Sequence, residues 1–201
     1  MVKMNKVFRG LFVLVLFLFG AAAFAQTPKD ENLVVEIPDS KNYYHAWKDV
    51  DRKNRFMLIE YVPKGQTVHN WREMVTTSVN YRNLPVTPKT YARKVMALSQ
   101  EQCGGPQGKI LKTGKSNGYP FALFFYGCTK SPATGKPEWN LTVAFKGRDS
   151  FYSVSKAWIR KPAQSAVAEW RAILGKAYVC DTRRQSRPCH STPDVYDTIN
   201  N

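Results

Sequence analysis

The sequence predicts an α+β domain: an antiparallel sheet of about five to seven strands, with two central helices and a C-terminal helix packed on it. Three observations predict it. Apolar and polar residues alternate over 139–146, and nearly continuous apolar runs occupy 56–62 and 121–126, which are strand patterns. Turn signals such as Asn117-Gly118 separate neighbouring runs, and strands joined by tight turns pair antiparallel. Apolar residues recur at helical spacing after Thr67, after Thr87 and after Pro162, and such stripes need a sheet face to cover.

Leu33 to Ile37 reads as a short edge strand stopped by Pro38, and Tyr43 to Val50 as a second strand. Phe56 to Val62 is apolar on both faces, as in a strand covered on both sides, and Pro63-Lys64-Gly65 turns the chain. Thr67 then reads as an N-cap, with Val68, Trp71, Val75 and Val79 on one face of a helix ending before Pro85. Thr87-Pro88 opens a second helix, with Tyr91, Val95 and Leu98 on one face and Gly104-Gly105-Pro106 as its stop. Lys109 to Lys112 and Tyr119 to Cys128 form a hairpin. Trp139, Leu141, Val143 and Phe145 face the core from a half-buried strand, and Phe151 to Arg160 follows as another. Pro162 opens the last helix, whose stripe is Ala163, Val167, Trp170 and Leu174, with Gly175 closing it.

Residues 1–25 read as a secretory signal peptide. Lys3, Lys6 and Arg9 precede the unbroken apolar run from Leu11 to Phe19, and Ala23-Phe24-Ala25 supplies the small-residue cleavage site. The apolar stretch is shorter than the roughly 20 residues a spanning helix needs, and no later segment is long and apolar enough to span. The mature protein is therefore expected in the periplasm or secreted. Residues 26–32 are expected to be a flexible leader, 33–180 a single domain, and 181–201 a disulfide loop and polar tail.

The chain carries a formal net charge of +15, and losing Lys3, Lys6 and Arg9 leaves about +12 on the mature part. A field of that sign attracts anionic partners, which outside the cytoplasm include lipopolysaccharide, phospholipid headgroups, cell-wall polymers and nucleic acid. The basic residues concentrate near the C-terminus, where Arg171, Lys176, Arg183, Arg184 and Arg187 are the candidate binding residues. The last three lie between Cys180 and Cys189, where a stapled loop would present them to phosphates or carboxylates at low ordering cost. Aromatic residues for stacking bases are not interleaved with them, so no specific nucleic acid is expected.

All four cysteines follow the signal, and an even number in an exported chain reads as disulfides. Four cysteines allow three pairings. Cys103 ends a predicted helix and Cys128 a predicted strand, while Cys180 and Cys189 flank a short loop, so the expected bonds are 103–128 and 180–189. The three histidines are scattered and no Cys-x₂-Cys pair is present, so neither metal nor cofactor is expected.

Motifs for catalysis are sparse. Gly114-Lys115-Ser116 matches the end of a phosphate-binding loop, but Lys109 stands where that pattern needs its first glycine. No Gly-x-Ser-x-Gly elbow occurs. Glu60, on an otherwise apolar strand, and His45 are the acid–base candidates of an alternative reading, a small secreted hydrolase or other enzyme. His69 falls in the first turn of the first predicted helix. Asn140-Leu141-Thr142 fits a glycosylation sequon, relevant only in a eukaryotic secretory pathway.

The run Gly65 to Thr76, then Asn117-Gly118-Tyr119-Pro120 before Cys128, then Phe151-Tyr152-Ser153-Val154, resembles a group of uncharacterised exported proteins of Gram-negative bacteria. The order of strands and helices is also similar to the Mog1/PsbP-like fold. That likeness implies, by analogy, a non-catalytic accessory role. The expected function is a non-catalytic periplasmic or secreted accessory or binding protein. Its basic surface would meet an anionic envelope component or an envelope protein.

Overall fold

The computed structural model describes residues 31–189 apart from 83, 105–107, 133, 185, 187 and 188. The signal peptide, Gln26 to Asp30 of the leader, the Gly105-Pro106 stop, Arg187, Pro188, His190 and the tail 191–201 lie outside the described residues.

The most apolar segments occupy the middle of the sheet. β6 (Tyr119–Cys128), β7 (Glu138–Lys146) and β8 (Phe151–Trp158) are largely buried on both faces. With β2 (Tyr43–Asp51), β3 (Phe56–Pro63), β4 (Glu73–Asn80) and β5 (Lys109–Ser116) they make a seven-stranded antiparallel sheet in the order β2-β3-β4-β8-β7-β6-β5. A separate two-stranded sheet pairs β1 (Glu31–Val34) with β9 (Tyr178–Asp181). The helices are α1 (Pro88–Cys103) and α2 (Gln164–Leu174).

The α+β class and the antiparallel sheet are as the sequence predicts. The first of the two predicted central helices is instead strand β4, paired with β3 on one side and β8 on the other. The physical reason lies in Val75, Thr76, Thr77 and Val79, whose β-branched side chains suit a pleated sheet better than a helix. Val75, Thr77 and Val79 are buried at every second position. Thr67 still accepts from the Asn70 amide at 3.2 Å, but this closes a turn rather than starting a helix. β1 begins inside the segment read as leader, because Glu31 and Asn32 pair with Asp181 and Cys180.

Each sheet face has its own cover. Ile59, Val75, Leu141, Val143, Phe145, Tyr152 and Val154 lie under α2 and the β1–β9 pair, with Trp170, Leu174 and Val179 packed on them. Ala122, Phe124, Ala144 and Phe151 lie under α1, against Ala92, Tyr91 and Val95. Thr87 caps α1 by accepting from the Thr90 amide at 3.1 Å, Pro88 fills its first turn, and Gly104 ends it at φ 57°. Leu98, expected on the buried stripe, is 51% exposed. The β5–β6 hairpin is tighter than the sequence suggests: Asn117 and Gly118 alone make the turn, both at positive φ.

Candidate functional site

The Cys180–Cys189 loop is a latch. Cys180 and Cys189 are bonded, as are Cys103 and Cys128, the pairs the sequence suggested. Arg183, partly exposed, is held by carboxylates of the fold. Its guanidinium donates to Asp181 Oδ1 and to Asp149 Oδ2, each at 2.7 Å, and stands 3.5 Å from Glu31. Glu31 is fully buried in β1 and accepts from the amides of Arg148 (2.7 Å) and Ser150 (3.3 Å) in the β7–β8 turn. Tyr119 donates to Asp181, and Arg184 lies over the Tyr119 ring, 4.5 Å from its centre. Ser186 donates to Asn117 at 2.6 Å. The hydrogen bonds to Asp181 and Asp149 raise the Arg183 pKa further. Burial pushes the Asp181 carboxyl up, but hydrogen bonds from Arg183 and Tyr119 outweigh it, and the net shift is downward. Arg183, one of the expected binding residues, thus already has carboxylate partners in the fold. Arg187 lies outside the described residues.

A buried cation sits beneath α2. Lys156, on β8, has no exposed surface. Its ammonium lies 4.6, 4.9 and 5.3 Å from the ring centres of Trp170, Tyr43 and Trp158, and donates to the Tyr43 hydroxyl and to Glu73 at 2.5 Å. Burial pulls its pKa down to about 8, against the pull of Glu73. Burial and Glu73 push the Tyr43 hydroxyl up. This cage links β2, β4, β8 and α2.

The acid–base candidates do not converge. His45 pairs with Tyr61 and Glu60 with Trp47, so neighbouring positions on β3 send them to opposite faces. His45 is exposed at the edge strand, edge-on to Tyr61 at 5.9 Å. Burial, then the nearby Glu138 carboxylate, raise the Glu60 pKa. His69 is exposed in the turn before β4. Gly114, Lys115 and Ser116 belong to β5 and make no phosphate-binding loop. Asn140 is buried on β7 and donates to Glu138 at 3.0 Å, which closes the sequon to modification in the folded chain.

The remaining predicted residues lead to a groove. α2 lies along β7 and leaves part of β5 and β6 uncovered, with Leu111, Leu123 and Phe125 as the floor. The wall is one helix face, Val167, Ala168, Arg171 and Ala172, spaced a turn apart. Ala168 and Ala172 are too small to reach the floor, and the gap has a volume of about 690 Å³. A bulge at Leu111 turns both Leu111 and Lys112 toward this side of the sheet. Lys112, Lys161 and Arg171 therefore surround an apolar hollow, and among the described residues no carboxylate lines it. Lys112 lies 6.0 Å from the centre of the Phe121 ring and Lys161 5.7 Å from that of Trp139. Among the described residues none of the three cations is in an ion pair. A neighbouring hollow of about 380 Å³ shares Lys161 and adds Arg72 and Arg160. Lys176 is exposed just beyond the end of α2. Reading the sequence alone missed Lys112 and the groove itself. The available signal was the small residues Ala168 and Ala172 on α2, with Gly175 just beyond its end, opposite Trp170 and Leu174.

No family model and no curated protein matches the chain. Among solved structures, the chain is similar to the solution structure of cyanobacterial PsbP (CyanoP) from Synechocystis sp. PCC 6803. The TM-score is 0.40 at 9% identity, covering 69% of this chain and 93% of that one, so the likeness is a weak one of fold alone.

Proposed function

We propose that this protein is exported through its N-terminal signal and acts outside the cytoplasm as a non-catalytic binding or accessory protein. Its basic face around α2 meets an anionic envelope component or an envelope protein. One observation carries this reading: Lys112, Lys161 and Arg171 line one groove and have no carboxylate partner among the described residues, whereas Arg183 is paired with Asp149 and Asp181. An unpaired cluster keeps its field available to a partner, and a field of one sign raises encounter rates. Two disulfides fit an oxidising compartment.

The test is binding of the purified, oxidised protein to lipopolysaccharide, anionic vesicles, cell-wall sacculi and DNA, at low and at physiological salt. The reading expects one class to stay bound at physiological salt. Uniform binding that disappears with salt would reduce the charge to a nonspecific field and contradict it.

A further inference from the structure

We propose that the groove between α2 and the β5–β6 hairpin binds a single-chain anionic amphiphile. The acyl tail lies along Leu111, Leu123, Phe125 and Val167, and Lys112 and Arg171 meet the headgroup. This rests on the reading that the α2 face takes an anionic partner, and it names the ligand class.

Size, lining and charge agree on that class. A volume of about 690 Å³ falls within the range of small-molecule sites, on the order of 300–1,000 Å³. The floor and wall are largely aliphatic and aromatic, and among the described residues the only charges at the groove are three cations. A wholly polar anion would leave the apolar floor unused. Exposed ion pairs gain a polar anion at most about fivefold in affinity each. A neutral lipid would leave three cations unanswered. An amphiphile uses both parts, because each methylene buried gains about fourfold. The exposed stems of Lys112, Lys161 and Arg171 suit this division, packing along apolar surface while their charged ends stay in water. The aromatic neighbours of Lys112 and Lys161 already hold two of the cations close to the hollow.

The experiment is isothermal titration of the purified, oxidised protein with octanoate, dodecanoate and dodecyltrimethylammonium, all below micelle-forming concentrations. Dodecanoate should bind at least about tenfold tighter than octanoate, since it adds four methylenes and only part of each is buried. The cationic amphiphile should bind at least about tenfold more weakly than dodecanoate. Ala168→Trp, at an exposed helix position, should obstruct the groove and weaken dodecanoate binding at least about tenfold while circular dichroism and the thermal midpoint stay unchanged. Arg171→Glu should weaken dodecanoate and spare the cationic amphiphile. Equal affinity for octanoate and dodecanoate, or full binding by a folded Ala168→Trp protein, would overturn the proposal. If dodecanoate fails while a polyanion still binds in a way that Arg171→Glu abolishes, the amphiphile assignment falls and the broader reading stands. If neither binds, both fall.

Discussion

Arg183, in the Cys180–Cys189 loop, donates to the Asp149 carboxylate at 2.7 Å and so ties the last strand to the turn between β7 and β8. The same guanidinium holds Asp181 at 2.7 Å and stands 3.5 Å from Glu31, two carboxylates with almost no exposed surface. The loop is therefore part of how the β1–β9 pair is fastened to the main sheet.

Removing that guanidinium leaves buried carboxylates without their cation. Arg183→Met is expected to destabilise the protein by about 2–3 kcal/mol, below the usual loss for a fully buried pair because Arg183 is partly exposed. Urea unfolding of the oxidised protein reads this directly. A midpoint equal to wild type would mean that the latch contributes nothing.

The Lys156 cage predicts an asymmetry. Glu73→Ala strands an ammonium with no exposed surface and is expected to cost about 2–4 kcal/mol. Lys156→Met leaves Glu73, whose side chain is 39% exposed and can turn to water, and is expected to cost less than about 1 kcal/mol. Chemical denaturation of the two variants side by side decides the order, and a costlier Lys156→Met would refute the cage's assignment as a burial penalty.

The same cage sets a pH dependence. Lys156 titrates near 8 in the fold and near 10.5 when unfolded. Between these values the unfolded chain holds a proton that the folded chain lacks, so stability rises with pH across that window. Tyrosines oppose it above about pH 10: burial pushes Tyr61 and Tyr119 up to about 12, so only the unfolded state ionises there and stability falls. On the acid side, the lowered Asp181 carboxyl contributes stability that is present above its unfolded value of 3.8 and is lost as pH falls through its folded value. Thermal midpoints should pass through a local maximum near pH 10, which Lys156→Met should flatten. An unchanged maximum in that variant would assign the effect elsewhere.

Gly147 is the narrowest point of the latch. A Cβ there would stand 2.0 Å from Glu31 Oε1, and that carboxylate is pinned by the Arg148 and Ser150 amides. Gly147→Ala is expected to cost about 1–3 kcal/mol by displacing it. A calorimetric midpoint within a degree of wild type would show that Glu31 moves freely.

What the sequence showed depended on how far apart the partners lie. The β5–β6 hairpin, β7, β8 and α1 were legible because their signals are local: Asn117-Gly118, the alternation around Val143, and Thr87-Pro88. β4 was misread because Val75 and Val79 fit both a helical and an alternating pattern; Thr76 and Thr77 between them held the deciding information. The β1–β9 pair joins residues about as distant as the fold allows, and nothing near Glu31 announces Asp181. The internal partners of Arg183 were hidden for the same reason, since Asp149 is 34 residues from it in the chain. The groove was invisible because Lys112 and Arg171 meet only once α2 folds back along β7.

The claim that the anion-facing surface lies at α2 and not at the disulfide loop is tested most directly by two charge reversals. Binding to anionic vesicles at physiological salt would be measured for Lys112→Glu/Arg171→Glu and, separately, for Arg184→Glu. The account predicts that the α2 pair weakens binding at least about tenfold, and that Arg184→Glu stays within about twofold of wild type. Loss of binding with Arg184→Glu and none with the α2 pair would contradict it and return the function to the disulfide loop.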